Sequence, residues 1–123
     1  MRALIVDDSR FVRGYVRGLL EEKGIACEEA GDGQAALDLV LGGKPFDLAL
    51  VDWNMPVMNG LDFIEALRAQ PAYDHVRILM VTSETESDQV TRAINAGANE
   101  YLMKPFSPEV LIAKLDLLDI FED

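Results

Sequence analysis

Two features of the chain predict an α/β domain built on a parallel sheet. Five short apolar runs alternate with segments of helical period from end to end. Such alternation calls for parallel strands, right-handed crossovers and helices on both faces of the sheet. Four of the runs also end in a polar residue at the same register: Ala3–Val6 in Asp7 and Asp8, Leu48–Val51 in Asp52, Val76–Val81 in Thr82, and Tyr101–Met103 in Lys104. The fifth, Ile25–Cys27, ends in nothing comparable. Open α/β sheets place their ligands just beyond the carboxyl ends of their strands. The register therefore predicts three carboxylates, a hydroxyl and an ammonium in one small cup, suited to a phosphoryl group and a divalent cation.

The connecting segments read as helices in order. The first opens after Ser9, carries Val12, Val16, Leu19 and Leu20 at helical spacing, and stops near Lys23 before Gly24. Gly14 and Gly18 inside it weaken it and are expected to be close-packed or exposed. Asp32 caps a second helix through Leu41, closed by Gly42 and Gly43. Leu61–Leu67 forms a third, bounded by Gly60 and Pro71, and a fourth spans about Glu86–Ala96 before Gly97. Ser107 caps the last, with Pro108 in its first turn and apolar residues continuing to Phe121.

Length suits a single domain over residues 1–123 with its own core. Hydrophobic residues make up 50% of the chain, too many for a disordered tail, and no apolar run is long enough to span a membrane. The net charge of −11 opposes direct binding to nucleic acid or anionic lipid. Cys27 is the one cysteine, so no intrachain disulfide forms and a cytoplasmic location is expected. Cys27 itself reads as a packing residue, His75 as a surface loop residue, and Met55, Met58, Met80 and Met103 as gap-fillers.

Taken singly, the polar strand ends have plain explanations: Asp7-Asp8 caps the following helix, Lys104 is solvated, and Thr82 ends a strand. No capping argument requires all four together. A carboxylate nucleophile at Asp52 would face repulsion from an anionic phosphoryl group, which a hard cation and Lys104 would offset. The pair Asp7-Asp8, Asp52 within Val51-Asp52-Trp53-Asn54-Met55-Pro56, Thr82-Ser83 and Lys104-Pro105-Phe106 together resemble a response-regulator receiver domain. The resemblance covers essentially the whole chain and is strongest, over Asp52–Gly60, to the single-domain chemotaxis members.

That resemblance implies a doubly wound, flavodoxin-like sheet of strand order 2-1-3-4-5 and a role in two-component phosphorelay signalling. Asp52 would accept a phosphoryl group from a histidine kinase or histidine phosphotransfer protein. Asp7, Asp8, Asp52 and the Asn54 backbone carbonyl would bind Mg²⁺, with Mn²⁺ as a possible substitute. Thr82, Ser83 and Lys104 would stabilise the phosphoryl oxygens, and the bond before Pro105 would be cis. Asn54 and Glu84 would tune dephosphorylation. Thr82 and Tyr101 would form the switch that reaches an output target at the fourth helix, fifth strand and last helix. The domain would be no enzyme in the usual sense, catalysing only its own phosphorylation and dephosphorylation.

Arg10, Arg13 and Arg17 form a basic strip on the first helix, read either as a kinase-docking patch or as solvated charges with Arg17 near Glu21. Glu86, Ser87 and Asp88 open the fourth helix where chemotaxis members carry basic residues; Lys114 is the basic residue left nearby. A domain cut from a longer regulator, or a relay intermediate, fits the same residues. A haloacid-dehalogenase-type phosphohydrolase fits worse, because Asn54 stands where such enzymes carry a second aspartate.

Overall fold

The computed structural model describes residues 1–83 and 87–120. In chain order the elements are β1 (Arg2–Val6), α1 (Arg10–Glu22), β2 (Ala26–Ala30), α2 (Gly33–Leu41), β3 (Leu48–Asp52), α3 (Gly60–Arg68), β4 (Arg77–Thr82), α4 (Ser87–Ala96), β5 (Glu100–Met103) and α5 (Pro108–Leu117), with a single 3₁₀ turn at Pro71–Tyr73. All strand pairs are parallel, in the order β2-β1-β3-β4-β5. This is the flavodoxin-like, doubly wound order that the resemblance implies.

Local chemistry explains where the helices begin. Ser9, Asp32, Asn59 and Ser107 each accept a hydrogen bond from a backbone N–H three residues on, satisfying a donor that the first turn leaves open. Gly24 ends the α1 connection with φ +80, a conformation that disfavours any side chain. Two boundaries differ from the sequence reading. The second strand runs on through Glu28 and Glu29 to Ala30, because basic side chains pair with both acids at this sheet edge: Arg2 and Lys44 with Glu28, Arg13 and Arg17 with Glu29. The last helix ends at Leu117 and the chain turns at Asp119 (φ 58); Phe121, Glu84 and Glu86 lie outside the described residues.

The period of two along each strand splits the core in half. Ala3, Ile5, Leu48, Leu50, Leu79, Val81 and Leu102 face α1 and α5, packing on Val16, Leu20, Leu111 and Leu115. Leu4, Val6, Ala49, Val51, Ile78 and Met80 face the opposite layer, packing on Ala36, Val40, Phe63, Ile64, Leu67 and Ala93. Cys27 is buried in the first half, and burial pushes its thiol up to about 11, which leaves it unreactive. Arg68 ties α3 to its neighbours by donating to the carbonyls of Gly97, Tyr73 and Val76 and to the Asn99 side chain. Burial lowers its pKa, yet those acceptors keep the guanidinium satisfied.

Gly14 and Gly18 lie on the exposed side of α1, where an added Cβ would meet nothing within 4 Å. Gly18→Ala is expected to stabilise the protein by about 1 kcal/mol through helix propensity alone. Urea unfolding measures this, and a loss of stability would contradict the packing described.

Candidate functional site

The parallel register brings the polar strand ends together. Val6 pairs with Val51, so the next residues, Asp7 and Asp52, stand side by side. Thr82 pairs with Met103, so Lys104 emerges one step beyond Thr82, its N–H donating to the Thr82 carbonyl at 2.8 Å. Asp7, Asp52 and Lys104 continue the rows that face α1 and α5. Thr82 continues the row of Ile78 and Met80, and Trp53 that of Ala49 and Val51, toward α4.

Lys104 Nζ lies 2.8 Å from Asp7 Oδ2 and 3.3 Å from Asp52 Oδ1. Asp8, exposed, completes a group of three carboxylates, one oxygen from each lying within 4.8 Å of the others. Asp7 is 4% exposed and Asp52 7% exposed. Asp7 Oδ1 also accepts from the Ser9 N–H at 2.8 Å, which couples the acid to the α1 cap. The position of Asp52 is set from behind by Gly60, whose N–H donates to the Trp53 carbonyl at 3.1 Å. A Cβ at Gly60 would overlap the Asp52 carbonyl, so only glycine lets α3 start this close to the strand end.

Burial and the neighbouring Asp7 push the Asp52 pKa up to about 6, with Lys104 opposing the rise. Burial disfavours the Lys104 charge, but Asp7 and Asp52 outweigh it and raise the lysine's pKa. Three carboxylates against one ammonium leave the cup with excess negative charge. Such a set fits a hard divalent cation, for which carboxylate oxygens are the natural ligands.

The remaining candidates take varied positions. The Lys104-Pro105 bond is cis. Ser83 is exposed and lines an open apolar depression of about 310 Å³ with Val12, Tyr15, Lys104, Pro105 and Phe106. The Asn54 side chain is exposed on the loop after β3, and Glu84 lies outside the described residues. Tyr101 is half-buried on β5, with Lys114 Nζ 4.2 Å from its ring centroid and paired with Glu100 at 3.1 Å. The arginine strip is divided. Arg13 and Arg17 turn to Glu29, Arg17 also to Glu21, while Arg10 stays exposed without an ion pair among the described residues. His75 is exposed in its loop.

Three features were missed in the sequence. Thr82 Oγ1, 1% exposed, donates to Gln89 Oε1 of α4 at 3.3 Å. Arg92, one turn further, sets its guanidinium 5.8 Å from the Trp53 ring centroid. Phe11 is 83% exposed at the start of α1. An aromatic residue beside a helix cap was the available signal for the last; the first two join distant elements and leave no periodic trace.

Residues 3–116 match the family model of the response regulator receiver domain. The chain belongs to the response regulator receiver family. Phosphorylation and magnesium binding at an acidic pocket are typical of this receiver family, whose members generally act as signalling modules rather than conventional enzymes. The chain is 42% identical to the chemotaxis protein CheY of Pseudomonas aeruginosa over 123 residues, which is 99% of this chain and 97% of the relative. It is 42% identical to CheY-3 of Vibrio cholerae, covering 99% of this chain and 92% of that one. The solved structure of Vibrio cholerae CheY4 superposes with a TM-score of 0.88 at 39% identity, covering 94% and 96% of the two chains. As a receiver domain, it is thus similar throughout to those of chemotaxis response regulators. No helix among its described residues is long and apolar enough to cross a membrane.

The raised pKa of Asp52 has a sign that stability can read. A carboxyl that binds its proton more tightly folded than unfolded stabilises the fold at low pH, and that contribution is lost as pH rises from about 4 to 6. With divalent cations chelated, Asp52→Asn is expected to be more stable than the native protein at pH 7.5, by about 1–2 kcal/mol after allowing for solvent screening. The advantage should vanish near pH 3.5. Equal stabilities at pH 7.5 in urea titrations would show that the carboxylate is not crowded.

Proposed function

We propose that residues 1–123 form a cytoplasmic receiver domain in a two-component pathway, in which Asp52 is phosphorylated by a histidine kinase or histidine phosphotransfer protein. The observation that carries this reading is the Lys104 ammonium set between Asp7 and Asp52 at three different strand ends. A structural ion pair needs one carboxylate; two buried ones and an exposed third make a charged receptacle.

A carboxylate oxygen of Asp52 attacks the phosphorus. The P–N bond to the donor imidazole breaks, its electron pair stays on the nitrogen, which takes a proton, and Asp52 becomes an acyl phosphate. Asp7, Asp8, Asp52 and the Asn54 backbone carbonyl would hold Mg²⁺, or Mn²⁺ in its place, which supplies charge neutralisation and a template for phosphoryl oxygens. Lys104 pairs with another oxygen, Thr82 donates its hydroxyl, and the small Ser83 leaves its backbone N–H approachable. Positioning and charge carry the catalysis. Water attack on the acyl phosphate later releases phosphate, at a rate tuned by Asn54 and Glu84.

The signal leaves through Thr82 and Tyr101, which both belong to the α4 side of the sheet. Drawing Thr82 toward the phosphoryl group favours a packing in which Tyr101 moves inward, a population shift toward the α4-β5-α5 face, where the output target binds. The donor docks at α1. Exposed Phe11 and Arg10, with the depression between Tyr15 and Phe106, are available to it, whereas Arg13 and Arg17 are held by Glu29.

Acetyl phosphate with Mg²⁺ is expected to place one labile phosphoryl group on Asp52, found by mass spectrometry and absent from Asp52→Asn. Lys104→Met should slow its formation about 100-fold. Labelling at another residue, or steady hydrolysis of phosphomonoesters, would defeat this reading. Separately, Phe11→Ala should slow transfer from a phosphohistidine protein donor about tenfold while sparing the acetyl phosphate reaction. If both rates fall together, the residue acts on the site and not on docking.

A further inference from the structure

Helix α4 reaches the site at two points from one face. Gln89 Oε1 accepts the hydroxyl proton of Thr82, and Arg92, three residues on and so on the same side of the helix, lies over Trp53. Thr82 and Trp53 belong to strand ends β4 and β3, and Trp53 directly follows Asp52. Both contacts fall on the α4 side because Thr82 and Trp53 continue the rows of Ile78 and Met80 and of Ala49 and Val51. A threonine hydroxyl has one proton to donate. While Gln89 accepts it, that proton is not available to a phosphoryl oxygen on Asp52.

We propose that Gln89 is a positioning residue that holds Thr82 in its resting arrangement, so that loading of Asp52 requires α4 to release the Thr82 hydroxyl. The proposal rests on the reading of Asp52 as phosphoacceptor and adds a contact that raises the cost of leaving the resting state. Release exchanges one hydrogen bond for another, so α4 stays registered on the site until the Thr82 proton changes acceptor. Arg92 makes that departure visible, since Trp53, the one tryptophan of the chain, carries the guanidinium against its ring. Gln89 therefore tunes how readily the domain switches, without touching the reacting atoms.

The test uses Gln89→Met, which keeps side-chain length and removes the acceptor, with beryllofluoride and Mg²⁺ as the probe for the phosphoryl group. Trp53 fluorescence follows the titration, and thermal unfolding confirms that each variant is folded. Gln89→Met should lower the beryllofluoride midpoint about fivefold, as expected for one lost neutral hydrogen bond. In a Thr82→Ala background the same substitution should leave the midpoint unchanged, because the coupling is gone. In the ligand-free protein, the NMR shift of the Thr82 methyl should move in Gln89→Met toward its value in the loaded protein. Equal midpoints in native and Gln89→Met protein, or an equal shift in the Thr82→Ala background, would overturn the role of Gln89 and leave the phosphoacceptor reading standing. No response of the native protein to beryllofluoride would overturn both.

Discussion

The Lys104 ammonium between Asp7 and Asp52 is the contact on which the rest depends. Two carboxylates this deeply buried cannot both ionise cheaply beside each other. Lysine offsets only part of the cost of burial and of the repulsion from Asp7, so Asp52 is still pushed up to about 6. The residual negative charge suits a hard divalent cation.

Backbone pairing makes this arrangement possible before any side chain contributes. Because β1 and β3 pair with Val6 opposite Val51, and β4 and β5 with Thr82 opposite Met103, a slip of one residue would turn each polar group to the other face. The same alternation divides labour across the sheet. The charged groups of Asp7, Asp52 and Lys104 lie toward α1 and α5, and Thr82, Trp53 and Tyr101 lie toward α4. In the proposed chemistry the acyl phosphate would form between a face open to the donor and a face that reports, one residue of backbone apart.

Much of this was legible in the residues. Strand ends, helix caps at Ser9, Asp32 and Ser107, and the layered α/β architecture follow from periodicity and capping, which are local and repeat. Asp7, Asp8, Asp52, Thr82 and Lys104 share a register that a reader can count. What stayed hidden were contacts outside that shared register, set by how particular helices cross the sheet. Glu29 lies beyond the Ile25–Cys27 run that the sequence marks, yet it belongs to β2, where it pairs with Arg13 and Arg17 and so removes two charges from the exposed strip on α1. The bond from Thr82 to Gln89 depends on how α4 crosses the sheet, which no spacing of residues encodes. Lys114, the basic residue left near the start of α4 in the sequence reading, is held by Glu100 over the Tyr101 ring, a pairing that the sequence did not reveal.

The most direct measurement is a carbon-13 NMR titration of the Asp52 carboxyl, in chelator and again with saturating Mg²⁺. Burial of Asp52 beside Asp7, only partly offset by Lys104, predicts a midpoint near 6 without the cation, and cation binding in the shared pocket predicts a large downward displacement with it. A midpoint in the ordinary carboxylate range, near 4, unmoved by Mg²⁺, would contradict the shared pocket from which the proposed chemistry follows.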